Sequence, residues 1–154
     1  MRRILALLLL PVFGTCALPT LDEAAFQKLV EAHKGKVILY DFWATYCEPC
    51  RAELPKLMRL EAKLRSQGFE LITISADEPE QAAAAEKVLK QFAVRGPVYR
   101  KQAKDDDQFI NSIDTKWSGA LPALFLYDKA GRKARSFIGE TDMGTVETAI
   151  RKLL

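Results

Sequence analysis

Cys47 and Cys50 flank Glu48 and Pro49, a Cys-x-x-Cys pair set just after the apolar run Val37 to Trp43. Two thiols at this spacing can carry out disulfide exchange. One thiolate attacks a disulfide, and the second thiol resolves the mixed disulfide. The start of a helix suits the attacking thiolate, because unpaired N–H groups and the dipole favour negative charge there. In such motifs the thiol pKa falls to about 3.5–7.5 from about 8.5 in the free residue. Each unit is worth about 1.4 kcal/mol to the charged form. Cys50, one turn further on, is expected to be the more buried, resolving thiol. Pro49 loses no hydrogen bond in a first helical turn.

Other uses of the pair fit less well. A structural zinc site wants four ligands, and the chain has three cysteines and a single histidine, His33. A static disulfide closing so short a loop would add little stability. Binding of a soft ion such as Cu(I) is a further alternative, although no methionine or histidine cluster accompanies the cysteines.

Two acids stand near the pair. Asp41 interrupts an otherwise apolar run, and an unpaired buried carboxyl should keep its proton at neutral pH. Beneath Cys50 it could take the proton of that thiol during resolution; a shifted strand would instead turn it to solvent. Glu53 lies three residues after Cys50, on the same side of a helix. It reads either as an active-site acid or as a solvated helix residue. Trp43 and Tyr46 could cover the disulfide and shape substrate access, while core packing also accounts for Trp43. Asp105, Asp106 and Asp107 read as a solvated helix cap rather than a metal site. His33 reads as a packing or C-terminal residue of the first helix.

The elements that must position these residues follow from periodicity and punctuation. Thr20 and Glu23 match a capping box opening a helix with Phe26, Leu29 and Val30 on one face. That helix stops near Lys34-Gly35. Val37 to Trp43 fits a central strand buried on both faces. A helix then runs from about Cys47 to Ser66, with Pro55 inside it as a source of a kink. Gly68 ends it, and Phe69 to Ser75 alternates as a strand. Asp77 with Glu80 reads as another N-cap pair before an alanine-rich helix ending near Phe92. Pro97 to Tyr99 suggests a short strand and Asp105 to Trp117 a helix. Ala123 to Asp128 and Lys133 to Ile138 form a hairpin, and Asp142 to Leu154 a last helix. Alternating strands and helices followed by a hairpin imply an α/β domain with a mixed sheet.

The first residues follow a different pattern. Met1-Arg2-Arg3 is basic, Ile4 to Phe13 is apolar apart from Pro11, and Gly14, Thr15 and Ala17 are small. This is the layout of a secretory signal peptide, with cleavage expected after Ala17. Residues 1–17 are then the signal and 18–154 one domain. The apolar run falls short of the roughly 20 residues that cross a bilayer. An N-terminal helix of the mature fold is one alternative, and lipidation of Cys16 is another. Loss of Arg2 and Arg3 would take the formal charge from +3 to +1. No basic patch then argues for nucleic acid. Export places the remaining cysteine pair where disulfides persist.

The segment Asp41-Phe42-Trp43-Ala44-Thr45-Tyr46-Cys47-Glu48-Pro49-Cys50-Arg51-Ala52-Glu53-Leu54-Pro55 resembles the active-site region of the thioredoxin superfamily, most closely its exported TlpA/ResA-type branch. The likeness extends from about Lys36 to the C-terminus. The resemblance implies a thioredoxin fold, a central mixed β-sheet flanked by helices. The long stretch between Ser75 and Trp117 matches that branch's helix-strand insertion before the cis-Pro loop. It implies that Pro122 is cis beside the cysteines, with Leu121 offering backbone to a substrate peptide. It also implies that the glutamate at Glu53 is an active-site acid. Asp41 departs from the branch, which commonly has asparagine there, and matches plain thioredoxins instead.

The activity implied is a periplasmic thiol–disulfide oxidoreductase whose only redox group is the Cys47–Cys50 disulfide, with no separate cofactor. Its substrates would be disulfide-containing or dithiol proteins, such as apocytochrome c or a copper-site protein, with electrons from a membrane thiol carrier. An acid beside Cys47, Glu48, leans toward a reducing couple, with oxidase or isomerase as the alternative. A monomer is the default for a small domain with one exposed site.

Overall fold

A computed structural model of the protein describes residues 18–154. The expected signal peptide and Cys16 lie outside the described residues. The elements in order are β1 (Thr20–Leu21), α1 (Glu23–Ala32), β2 (Val37–Trp43), α2 (Glu48–Leu64), β3 (Phe69–Ser75), α3 (Ala82–Gln91), β4 (Val98–Lys101), α4 (Asp106–Ile113), β5 (Ala123–Tyr127), β6 (Lys133–Ile138) and α5 (Met143–Arg151). They build one six-stranded sheet in the order β1-β4-β3-β2-β5-β6. The pairs β2–β3, β3–β4 and β1–β4 are parallel, whereas β5 runs antiparallel to both β2 and β6. This is the mixed sheet and the thioredoxin fold implied by the active-site segment, with α3 and β4 as the insertion.

β2 is buried at all seven positions, because helices cover both faces of the sheet. On one face Ile38, Tyr40 and Phe42 pack with Phe26 of α1 and Phe109 and Ile113 of α4. The rings of Phe26 and Tyr40 meet edge to face at 5.1 Å, the geometry their quadrupoles favour. On the other face Val37 and Leu39 pack with Leu57, Leu60 and Leu64 of α2 and Val146 and Ile150 of α5. Further along that face, Trp43 joins Cys47, Cys50, Leu54, Leu18 and Ala85 and Leu89 of α3 in a third cluster.

Local details differ from the sequence reading in three places. Thr20 is not a helix cap; it belongs to β1, whose pairing with β4 from Thr20 to Arg100 required the distant strand. Asp22 caps α1 instead, its Oδ1 accepting the Ala25 N–H at 2.8 Å. Asp77 is not a cap either, and Glu78 stands at the head of the following turn. α4 stops at Ile113, short of Trp117, because Asp114 Oδ1 takes the Lys116 N–H at 2.9 Å and turns the chain.

Candidate active site

Cys47 is the N-cap residue of α2, and Cys50 donates its backbone N–H to Cys47 Sγ at 3.3 Å. A sulfur in this place answers one of the orphan donors at a helix start. The two sulfurs are joined in a disulfide, with the Cα atoms 5.3 Å apart. Both cysteines are buried, Cys50 at 2% exposure and Cys47 at 8%, so Cys47 is the one nearer to solvent. The loop between β2 and α2 is closed by the Cys47 N–H on Ala44 O at 3.1 Å.

Trp43 is fully buried against the cysteines and its Nε1 has no hydrogen-bond partner. Tyr46 is the opposite case, 69% exposed on the loop beside Cys47. The peptide bond from Leu121 to Pro122 is cis. Leu121 is half-buried and packs against the cluster that contains both cysteines, which brings this loop to the redox pair. Two further bonds hold the loop: Trp117 Nε1 donates to Ala120 O and Gly139 N–H to Pro122 O, each at 2.8 Å. No local pattern in the sequence marks Trp117 as part of this site. Its role depends on a side chain that reaches back across a turn.

Asp41 faces α2. Its neighbours on the same side of β2 are Leu39 and Trp43, which pack on Leu57 and on Cys50 and Leu54 respectively. Alternation along a strand therefore puts Asp41 between these two clusters. Its register partner on β3 is Thr73. Asp41 Oδ2, Thr73 Oγ1 and Glu53 Oε2 are all buried without a hydrogen-bond partner. The acids form a polar layer in the apolar face behind the disulfide. Burial pushes the Asp41 carboxyl well above its usual value, and the charge of Glu53 pushes it further. Burial raises Glu53 to about 7, with Lys56 lowering it and Glu140 raising it. Both acids are inward-facing, so the solvent-facing alternatives for Asp41 and Glu53 do not hold.

Asp77, whose spacing to Glu80 suggests a helix cap, stands instead at the active-site loop. The residue is 1% exposed, and its carboxyl accepts from the Thr45 N–H and hydroxyl and from the Ser75 hydroxyl. No local pattern could have revealed this, since Thr45 and Asp77 are 32 residues apart. Asp105 does serve as the cap of α4, accepting the Gln108 N–H at 3.0 Å. His33 caps the end of α1, its Nδ1 2.8 Å from Leu29 O. Among the described residues, no three histidine, cysteine or acidic side chains gather as a metal-binding group.

The chain is similar to known proteins in sequence and in fold. The protein named thiol-disulfide oxidoreductase ResA of Bacillus thuringiensis (strain Al Hakam) is 35% identical over 120 residues, covering 78% of this chain and 65% of that protein. The protein of the same name in Geobacillus kaustophilus (strain HTA426) is 27% identical over 132 residues, covering 86% of this chain and 71% of that protein. The chain thus spans about 65% of the length of the first of these relatives. A thiol:disulfide interchange protein of the thioredoxin family from Chlorobium tepidum TLS superposes with a TM-score of 0.67 at 22% identity, covering 80% of this chain and 83% of that one. A DsbF homologue from Corynebacterium diphtheriae superposes with a TM-score of 0.68 at 19% identity, covering 80% and 76%. These two structures share its fold. A family model described as thioredoxin-like matches residues 35–132. The chain belongs to the thioredoxin-like family.

Proposed function

We propose that the protein is an exported thiol–disulfide oxidoreductase that reduces disulfides of partner proteins through Cys47 and Cys50. The observation that carries this reading is Cys47 Sγ at the head of α2, accepting the Cys50 N–H, in a disulfide within three residues. The likeness to proteins named thiol-disulfide oxidoreductase supports the same activity.

In the reducing direction, the Cys47 thiolate attacks one sulfur of a partner disulfide and the other partner sulfur leaves as a thiolate. The Cys50 thiol gives its proton to a carboxylate of the Asp41–Glu53 layer and attacks Cys47 Sγ. The second partner thiolate departs, the Cys47–Cys50 disulfide forms, and the partner has gained both electrons. A carboxyl raised toward the thiol range suits this transfer, because proton exchange is easiest between groups of similar pKa. Trp43 walls the disulfide, Tyr46 offers an exposed ring to the partner, and the Leu121–Pro122 loop offers backbone to it.

Direction rests on Glu48, an exposed acid next to Cys47 that disfavours a second negative charge there. A less stabilised thiolate makes the dithiol the better reductant. Residues 1–17 act as the export signal in this reading, with an apocytochrome c or copper-site protein as substrate class and a membrane thiol carrier as donor. No cofactor beyond the disulfide is required.

The test is the equilibrium between Cys47/Cys50 and defined thiol–disulfide buffers, read by alkylation trapping. A potential near or below about −250 mV supports a reductase, and one near about −120 mV makes the protein an oxidase. Absence of a reversible couple would remove the catalytic reading.

A further inference from the structure

The β2–α2 loop is pinned from behind by a buried acid. Thr45 directs its N–H at both carboxyl oxygens of Asp77, each at 3.0 Å, and its hydroxyl at Oδ1 at 2.6 Å. The Ser75 hydroxyl donates to Oδ2 at 2.7 Å, and Ser75 Oγ accepts the Asp77 N–H at 3.0 Å. Every contact to the carboxyl uses it as an acceptor, the part a carboxylate plays. The loop has just left the sheet, since Ala76 N–H to Trp43 O at 2.7 Å is the contact beside it. Asp77 thus continues the hold of β3 on the loop after the strand pairing has ended.

We propose that Asp77 is a positioning residue for the redox pair, holding Cys47 at the head of α2 through its bonds to Thr45. The inference rests on the exchange reaction proposed above, in which Cys47 must keep its place in both the disulfide and dithiol states. Hydrogen bonds to a charged acceptor are roughly twice as strong as neutral ones, so the loop keeps its shape when the S–S bond opens. The carboxylate bonded to Thr45, the residue two before Cys47 in the loop, also disfavours a thiolate at Cys47. Asp77 therefore holds the couple on the reducing side.

The experiment compares the parent with Asp77→Asn, Thr45→Val and Thr45→Ser. For each, the Cys47/Cys50 equilibrium with a defined thiol buffer is measured, together with urea unfolding of the oxidised and reduced forms. Asp77→Asn is expected to shift the equilibrium constant about tenfold toward the dithiol, about 30 mV for a two-electron couple. Thr45→Val should shift it at least threefold, and Thr45→Ser, which keeps the hydroxyl, should return to within twofold of the parent. Variants that lose equal stability in both redox forms while their equilibrium stays within twofold would overturn the proposal, leaving Asp77 a structural residue only. If Asp77→Asn does not fold, the two Thr45 variants decide the matter. A parent without a reversible couple defeats the proposed function itself; a normal parent couple with unshifted variants defeats this inference alone.

Discussion

Asp41 and Thr73 are register partners on adjacent parallel strands, and each buries a polar atom that has no hydrogen-bond partner. Such groups are rare in folded proteins because an unmet buried polar atom is costly. Here they lie in the face covered by α2, the helix that carries Cys50 and Glu53. Removing Asp41 isolates its part in resolution. Asp41→Asn should slow attack of Cys50 on a mixed disulfide by about 100-fold, the low end of general-base effects. The difference should shrink at alkaline pH, where the thiol ionises without help. Stopped-flow measurement of mixed-disulfide decay across pH gives the answer, and equal rates at every pH would assign resolution to another base.

Cys50→Ser separates the two thiols. Cys47 can still attack a partner disulfide, but nothing resolves the adduct. A covalent complex should accumulate on non-reducing gels and disappear on reduction. Cys47→Ser should give none, because Cys50 is 2% exposed. Adducts formed equally well by both variants would contradict the assignment of Cys47 as the attacking thiol.

Glu53 predicts a pH dependence of stability. Burial raises its folded value from 4.5 to about 7. The folded state therefore holds the proton more tightly than the unfolded chain. Its contribution is complete below about pH 4.5 and is lost as pH rises through about 7. Glu53→Gln stays neutral, so it should gain stability over the parent across that window, on the order of 3 kcal/mol by pH 8. Urea midpoints at several pH values report it; a difference that is constant from pH 4 to 8 would show that Glu53 is not held in its acid form.

Trp43 and Tyr46 should separate stability from recognition. Trp43 is fully buried and Tyr46 is 69% exposed. Trp43→Ala should destabilise the fold by about 3–5 kcal/mol. Tyr46→Ala should stay within about 0.5 kcal/mol of the parent while raising KM for a protein disulfide and leaving small-molecule disulfide reduction unchanged. Thermal unfolding and steady-state kinetics with both substrate types distinguish these outcomes. An unchanged KM for the protein substrate would remove Tyr46 from the docking surface.

Much of the architecture was legible without coordinates because it depends on short-range pattern. The run Val37 to Trp43, the alternation from Phe69 to Ser75 and the hairpin across Lys129 to Arg132 report strand burial and turning directly. Cys47, Glu48, Pro49 and Cys50 likewise carry their chemistry in their spacing, and Cys47 does stand at a helix head. Polar residues were harder, because one residue type serves several ends. An aspartate can cap a helix, as Asp22 and Asp105 do, or clamp a distant loop, as Asp77 does. Which of these occurs depends on whether the fold brings a donor such as Thr45 to it. Only the tertiary structure decided that Glu53 turns inward beside Asp41, that Trp117 reaches the Leu121–Pro122 loop, and that two residues at Thr20 and Leu21 pair as a strand. In each case the deciding contact joins groups that local periodicity cannot relate, and burial then sets the energy of that contact.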